Sequence, residues 1–306
     1  MRAMTAAPEA IRRHRDGASV FAQLEQVLPL VKKPIQYVGG EVNAQLKSWD
    51  DCTVRWVLMY PDAYEVGIPN QGVQILYEVL NEVDDVLAER TYAVWPDLEA
   101  LMRERDIPQF TVDGHRPVGA FDVFGLSFAT ELGYTNMLTA IDLAHIPLYA
   151  RDRGLDDPVV LAGGHAAFNP EPIADFIDAA VLGDGEQISL LISDIVRAWK
   201  SEGRPGGREE LLARMARTGS VYVPAFFDVE YLSDGRIRRV VPNRSDIPWR
   251  VSKQTVMDLD EWAYPKAPLV PVAESVHERM SVEIFRGCTR GCRFCQAGMI
   301  TRPVRE

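Results

Sequence analysis

Between residues 54 and 199 short apolar runs alternate with stretches whose apolar residues recur at helical spacing, and no other feature of the sequence restricts its fold as much. Val54–Tyr60 reads as a buried strand that ends in the proline-bearing loop Pro61–Asn70. Val73, Leu76, Tyr77 and Leu80 then repeat at helical spacing, and Val86–Val94 is again β-like. Pro96, a residue that suits a first helical turn, opens a helix through Leu98, Leu101 and Met102. Phe121–Ser127 is a further strand, followed by a helix through Met137, Leu138, Ile141 and Leu143 that stops before Pro147. Val159–Ala162 and Ala179–Leu182 are short strands ending in Gly163-Gly164 and Gly183-Asp184-Gly185, and a helix runs on from Glu186 to Trp199. Strands alternating with helices across short loops predict a doubly wound α/β domain, a parallel sheet with helices on both faces. Ligands of such sheets bind beyond the carboxyl ends of the strands, where these glycine turns fall.

Outside this region the chain is of a different kind. Residues 1–20 read as a solvated, disordered leader, and Leu24–Val31 as one helix stopped near Pro34. Ser201–Gly207 is polar and glycine-rich and marks a boundary. A helix over Glu209–Arg217 and a hairpin follow, the hairpin pairing Val221–Leu232 with Arg236–Val241 across the turn Ser233-Asp234-Gly235. Proline-rich connectors lead to a last strand, Ser281–Phe285. The division predicted is a leader at 1–20, an α/β domain at 21–200, a linker with a helix–hairpin connector at 201–275, and a final segment at 276–306. With 306 residues, 47% of them hydrophobic, the chain can bury a core without disulfide staples. Its net charge of -11 argues against a nucleic-acid duplex as partner. No apolar run reaches the roughly 18 residues that would span a membrane. Without an apolar secretory leader the expected location is the cytoplasm.

Of four cysteines, three lie close together in Arg286-Gly-Cys288-Thr-Arg-Gly-Cys292-Arg-Phe-Cys295, directly after the last predicted strand. Cys52 plus a tight triplet is not a disulfide framework. Thiolates are soft ligands for iron–sulfur clusters and for zinc. Three cysteines on one loop can hold three irons of a cubane cluster and leave its last iron open to a small molecule. Gly287 and Gly291 let the backbone turn and bring N–H groups near the sulfurs, which tunes cluster potential. Structural zinc takes four protein ligands and would need Cys52 or His277 as the last one. Three cysteines without a metal are the remaining alternative. From Ser281 onward five arginines (Arg286, Arg290, Arg293, Arg302, Arg305) stand against two acids (Glu283, Glu306), either a solvated tail or a cationic pocket for an anionic cofactor.

The CxxxCxxC spacing with Phe294 before its last cysteine resembles the defining motif of the radical S-adenosylmethionine (radical SAM) superfamily. The resemblance implies that Cys288, Cys292 and Cys295 ligate a 4Fe-4S cluster whose open iron chelates S-adenosylmethionine through its amino and carboxylate groups. An electron from the cluster would split the sulfonium to a 5′-deoxyadenosyl radical that takes hydrogen from the substrate, with Phe294 beside the adenine. It also implies an electron donor such as a flavodoxin or ferredoxin. The cysteine segment through Met299, Lys33-Pro34, Gly39–Asn43, Asn169–Pro172 and Gly183–Glu186 together look like an uncharacterised subfamily of cobalamin-domain radical SAM proteins. The fold so implied is a cobalamin-binding-like, Rossmann-like sheet, a small β-hairpin connector, and the first strand plus cluster loop of a partial (β/α) barrel.

Cobalamin domains often carry DxHxxG after the first strand, its histidine ligating cobalt from below. Asp62-Ala-Tyr64-Glu-Val-Gly67 keeps the spacing and puts tyrosine in the histidine position. Tyrosine is a poor ligand for reduced cobalt, so either cobalt takes no lower ligand from the protein or no cobalamin binds. If cobalamin binds, its nucleotide tail is expected along the strand ends at Ser127, Gly163, Gly164, Gly183 and Gly185, with His165 beside them as tail contact or bystander. The chain ends 11 residues after Cys295, so the resemblance implies an N-terminal fragment that is catalytically incomplete. The function predicted is a radical SAM enzyme, with methyl transfer or a related radical modification as its reaction. The rivals are a cobalamin-binding or partner-docking module without catalysis, and a zinc-binding structural protein.

Overall fold

Parallel strands form where the β-like runs predict them, because both sides of the sheet are covered, and the polar residues of the second run, Glu89, Arg90 and Thr91, are buried with partners. In the computed structural model, which describes residues 17–262, 264–277 and 279–306, the strands are β1 (Val54–Tyr60), β2 (Val86–Tyr92), β3 (Val123–Ser127), β4 (Val159–Gly163) and β5 (Ala179–Val181). The helices among the described residues are α1 (Gly17–Val27), α2 (Tyr64–Gly67), α3 (Gln71–Asn81), α4 (Pro96–Arg105), α5 (Tyr134–Leu143), α6 (Glu186–Ser201), α7 (Gly207–Ala216) and α8 (Ala297–Ile300). Asn70 caps α3 by accepting the Val73 N–H at 3.0 Å. Pro96 starts α4, and Asp106, left-handed at φ 56, ends it. The strand order β2-β1-β3-β4-β5 places a topological switch point between β1 and β3.

Successive side chains point to opposite faces of a strand. Trp56, Leu58, Leu161 and Val181 face α3, α6 and α7, whose Val73, Ile188 and Leu212 belong to the same buried cluster. Val57, Met59, Phe124 and Val160 face the other way, onto Met137 and Ile141 of α5. A third cluster joins Leu24 of α1 to Leu98 and Met102 of α4. Each such side chain contributes about 1.5–3 kcal/mol when fully buried.

Structure and expectation part in four places. The apolar stretch 221–232 is not one strand. β6 (Val221–Tyr222) adds antiparallel to β5, so the sheet is mainly rather than wholly parallel, while β7 (Phe227–Tyr231) pairs with β8 (Ile237–Pro242). Pro224, with no N–H to give a ladder, separates them. Ser201–Gly207 does not end the core, since α7 beyond it buries Leu211, Leu212 and Met215 with β1 and α6. α1 begins at Gly17, inside the expected leader, whose residues 1–16 lie outside the described residues. Ser281–Phe285 has no sheet partner. The Tyr264 hydroxyl donates to the Ser281 carbonyl (2.7 Å) and accepts the Glu283 N–H (3.1 Å), and Val282 and Ile284 face solvent. Among the described residues no helix is long and apolar enough to cross a membrane.

Two buried carboxylates hold polar joints in this frame. Asp178 accepts from Arg153 (2.8 Å), from Arg208 of α7 (2.7 Å) and from the Val160 N–H of β4 (2.8 Å). Glu89 of β2 pairs with Arg116 and accepts from the Thr111 hydroxyl at 2.5 Å. Burial pushes the Glu89 carboxyl from its ordinary 4.5 up to about 7, against the pull of Arg116 and with the push of Asp113.

Asp178→Ala leaves Arg153 buried without its partner and is expected to cost about 3–5 kcal/mol in urea unfolding. A loss below about 1 kcal/mol would show that the carbonyls of Pro147, Leu148 and Phe176, to which Arg153 also donates, suffice. Glu89 binds its proton more tightly folded than unfolded, so its contribution is full below pH 4.5 and is lost as pH rises through about 7. The stability of wild type relative to Glu89→Gln is therefore expected to fall steadily across that window. A difference that stays constant with pH contradicts it.

Candidate functional site

On the α3/α6 face of the sheet one position carries no side chain. Gly125 lies opposite Leu58 in the β1–β3 ladder, and a Cβ there would stand 3.3 Å from Leu58 and 3.6 Å from Trp56. The space left under α3 and α6 is a cavity of about 340 Å³, walled by Trp56, Leu58, Leu161, Leu76 and Ile188. Its mouth is at the carboxyl ends of the strands, where Ser127, Gly163, Gly164, His165, Gly183 and Gly185 all line it. Two of those glycines are required by the backbone. Gly164 has φ +87 with a virtual Cβ 2.5 Å from the Phe128 carbonyl oxygen, and Gly183 has φ +101 with one 2.0 Å from that of Gln254. The strand-end residues expected to share one site are thus brought together, His165 among them.

The far wall comes from the C-terminal segment, through Glu283, Arg286 and Thr301. Arg286, two residues before Cys288, pairs with Asp184 (3.2 Å), Glu186 (2.7 Å) and Glu283 (2.9 Å). Burial works against its charge, but the hydrogen bonds to Glu283 and Glu186 outweigh this and hold the guanidinium protonated. Arg305, also buried, pairs with the other oxygen of Asp184 and donates to the Val256 carbonyl at 3.0 Å. The backbones of Arg286 and Arg305 exchange hydrogen bonds of 2.8 and 2.9 Å, closing the segment into a loop. Within it Arg302 donates to the carbonyls of Cys288 (3.2 Å) and Arg290 (2.8 Å), and Lys253 donates to those of Ile300 (3.0 Å) and Arg302. A smaller cavity of about 260 Å³ continues the first between His165 and Arg305.

Cys288 and Cys295 are half-buried and Cys292 is exposed. The Arg290 N–H reaches Cys288 Sγ at 3.4 Å and the Gly298 N–H reaches Cys295 Sγ at 3.3 Å. The donor set fits an iron–sulfur cluster in its chemistry: soft thiols on one loop, two of them already met by backbone donors. Among the described residues no three Cys, His, Asp or Glu side chains converge as a metal-holding group. Among the described residues neither Cys52 nor His277 joins the triplet as a fourth zinc ligand. Cys52 is buried before the amino end of β1, at the opposite end of the sheet from the strand mouths, and His277 is exposed. Phe294 is 93% exposed and packs against nothing that would hold an adenine.

The DxxxxG residues sit elsewhere. Asp62 accepts the Ala63 N–H at 2.7 Å and borders a separate polar cavity with Trp95, Gln109 and Asn136. Tyr64 is 1% exposed, and its hydroxyl accepts the Val272 N–H at 3.2 Å. Burial, and then the nearby Glu41 carboxylate, push its ionisation well above the usual tyrosine range. Gly67 packs on Tyr92, whose ring lies 2.5 Å from its virtual Cβ. None of the three lines the cavity over Gly125. Conversely, Gly125 is not singled out from sequence, and neither is the pairing of Asp184 with Arg286, which are read there only as part of a glycine turn and as one of five arginines. Gly125 carries a signal, a glycine inside an apolar strand, which marks close approach or missing volume.

The sequence model of the family described as radical SAM proteins, N-terminal, matches residues 72–224, half of the chain. The match contains the cavity residues of β3, β4 and β5 and ends ahead of the cysteine triplet. An uncharacterized protein of Methanocaldococcus jannaschii is 23% identical over 251 residues, 81% of this chain and 42% of that protein. The chain thus spans less than half the length of the curated relative it matches. Two solved structures of the radical S-adenosylmethionine methyltransferase TsrM from Kitasatospora setae are also similar. One holds tryptophan substrate and a SAM analogue, at 16% identity and TM-score 0.34, over 63% of this chain and 31% of TsrM. The other holds cobalamin and a 4Fe-4S cluster, at 17% identity and TM-score 0.32, over 61% and 30%.

Thiol accessibility tests the placement of the cysteines. In the folded, metal-free, reduced chain three of the four thiols are expected to react rapidly with dithiobisnitrobenzoate, and Cys52, buried and with its thiol pKa raised by that burial, only after denaturation. Rapid reaction of all four would contradict the burial of Cys52.

Proposed function

The chain belongs to the radical SAM proteins through the family of their N-terminal domain, and from that premise we propose that it works in a radical SAM enzyme that also uses cobalamin. Cys288, Cys292 and Cys295 would hold the 4Fe-4S cluster. The cavity over Gly125 would take the nucleotide end of cobalamin, its glycine-lined mouth admitting the rest at the strand ends. When bound, the cluster with S-adenosylmethionine would supply radical chemistry and cobalamin a transferable methyl group, so methyl transfer or a related radical modification is the reaction class. A flavodoxin or ferredoxin would serve as reductant.

One observation carries this reading. Glu283, Arg286 and Thr301, from the segment that bears the cysteines, line the same cavity as the strand-end glycines, so two cofactors held by separate parts of the chain would meet. Tyr64 is committed to the Val272 backbone, which supports a cobalt that takes no lower ligand from this loop. The contrast between a formed cavity and an open, unconverged triplet favours a second reading, a corrinoid-binding or partner-docking module without catalysis.

Anaerobic reconstitution with iron, sulfide and hydroxocobalamin separates the two. Wild type is expected to retain roughly four irons per chain, and the Cys288/Cys292/Cys295→Ala variant none. Cobalamin is expected to stay with both, and to be lost from Gly125→Leu, which fills the cavity while the melting temperature confirms folding. Cobalamin without iron in the wild type would leave the module. A folded wild type that keeps neither would overturn both readings.

A further inference from the structure

We propose that Asp184 is a positioning residue that links occupancy of the cavity to the placement of the cysteine loop, so that a corrinoid and a cluster bind this chain with coupled affinities. The inference rests on the cofactors proposed above and adds to them a connection between their sites. Asp184 stands in the turn after β5 and lines both strand-end cavities. Each of its oxygens holds a different end of the cysteine segment. Oδ1 faces Arg286 at 3.2 Å, and Oδ2 pairs with Arg305 and accepts the Val256 N–H at 2.8 Å. Its own backbone is not free to follow the segment. The Asp184 N–H donates to the Gln254 carbonyl at 3.1 Å, and Gly185 behind it would bring a Cβ to 2.9 Å from Leu76 of α3.

Between the two arginines the loop is anchored from outside the segment by Lys253, at the Ile300 and Arg302 carbonyls, while the stretch that bears Cys292 is not packed. Residues 289–294 are exposed or half-buried, and α8 is a single turn, too short to be stable by itself. The loop therefore takes its position from Lys253 and from its two ends, and both ends meet one carboxylate on the wall of the cavity, with Glu186 holding Arg286 as well. A ligand that fills the cavity touches Asp184 and Arg286 at once, and so favours one placement of the loop over others. By linkage, a cluster that favours the same placement must raise affinity for that ligand by the same factor.

The experiment titrates hydroxocobalamin into wild type, Asp184→Asn and Asp184→Glu, each with and without the reconstituted cluster. Wild type is expected to bind about tenfold more tightly with the cluster present, within the range usual for coupled sites. Asp184→Asn is expected to bring that ratio to about one, and Asp184→Glu to restore part of it. Hydrogen exchange on the cofactor-free proteins gives an independent reading. Protection is expected to fall across residues 286–305 in Asp184→Asn and to stay unchanged in β1. A wild type that binds cobalamin equally with and without cluster overturns the coupling and leaves the proposed function standing. An Asn variant with the wild-type ratio, or with unchanged exchange at 286–305, overturns the role of Asp184. A wild type that binds no cobalamin removes the cofactor reading, and the coupling with it.

Discussion

Asp184, with Glu186 beside it, joins the α/β domain to the segment that bears the cysteines. Asp184 meets two arginines drawn from opposite ends of the cysteine segment, and one of them, Arg305, is almost wholly buried. A buried guanidinium needs its partner, because breaking such a pair leaves a charge in a medium that solvates it poorly. The segment itself has no core to fall back on. Met280, Ile284 and Phe294 are exposed, and the loop is held through backbone carbonyls gripped by Arg302 and Lys253. Packing therefore builds the α/β domain, whereas charge and hydrogen bonding position the cysteines on it.

That division explains why the cavity and the triplet reach different degrees of completion. The cavity is a property of the sheet. Alternation along β1, β3 and β4 sends large side chains to both faces, and Gly125 withholds one at the point where α3 and α6 span the sheet. The surrounding side chains belong to the buried core of the sheet, and their packing defines the walls of the space. The triplet has no such frame. Its sulfurs are met by the Arg290 and Gly298 N–H groups, but no neighbouring element presses the thiols towards a common point.

The parts of the fold legible in the sequence are those governed by periodicity. Val54–Tyr60 and Val159–Ala162 could only be buried strands, and the spacing Val73, Leu76, Tyr77, Leu80 could only present one helical face. Where partners decide, the sequence was silent. Ser281–Phe285 has a strand's composition and no strand beside it, so Tyr264 satisfies its backbone instead. Val221–Tyr222 looked like the start of a hairpin and became a sheet edge because β5 was free to receive it. In the site, cysteine chemistry was readable because ligand spacing is local. The pairing of Asp184 with Arg286 and Arg305 was not, since it spans more than a hundred residues and each member alone reads as an ordinary charge.

Tyr64 shows how a motif can keep its spacing and change its use. The loop after β1 retains Asp62 and Gly67 at the intervals that a histidine-bearing version would have. Gly67 packs on Tyr92 and Asp62 closes the turn, which fixes the loop. The residue between them turns inward to the connector, which is also pinned by the Val42–Val270 bridge and by the Val276 N–H to the Glu65 carbonyl. The connector runs from these contacts past Tyr264 to Glu283 and Arg286 at the cavity wall. Tyrosine thus helps fix the path by which the cysteines return to the sheet. A histidine aimed at a ligand from the same position would leave the Val272 N–H without that acceptor. The geometry of this chain commits the Tyr64 side chain to holding the connector.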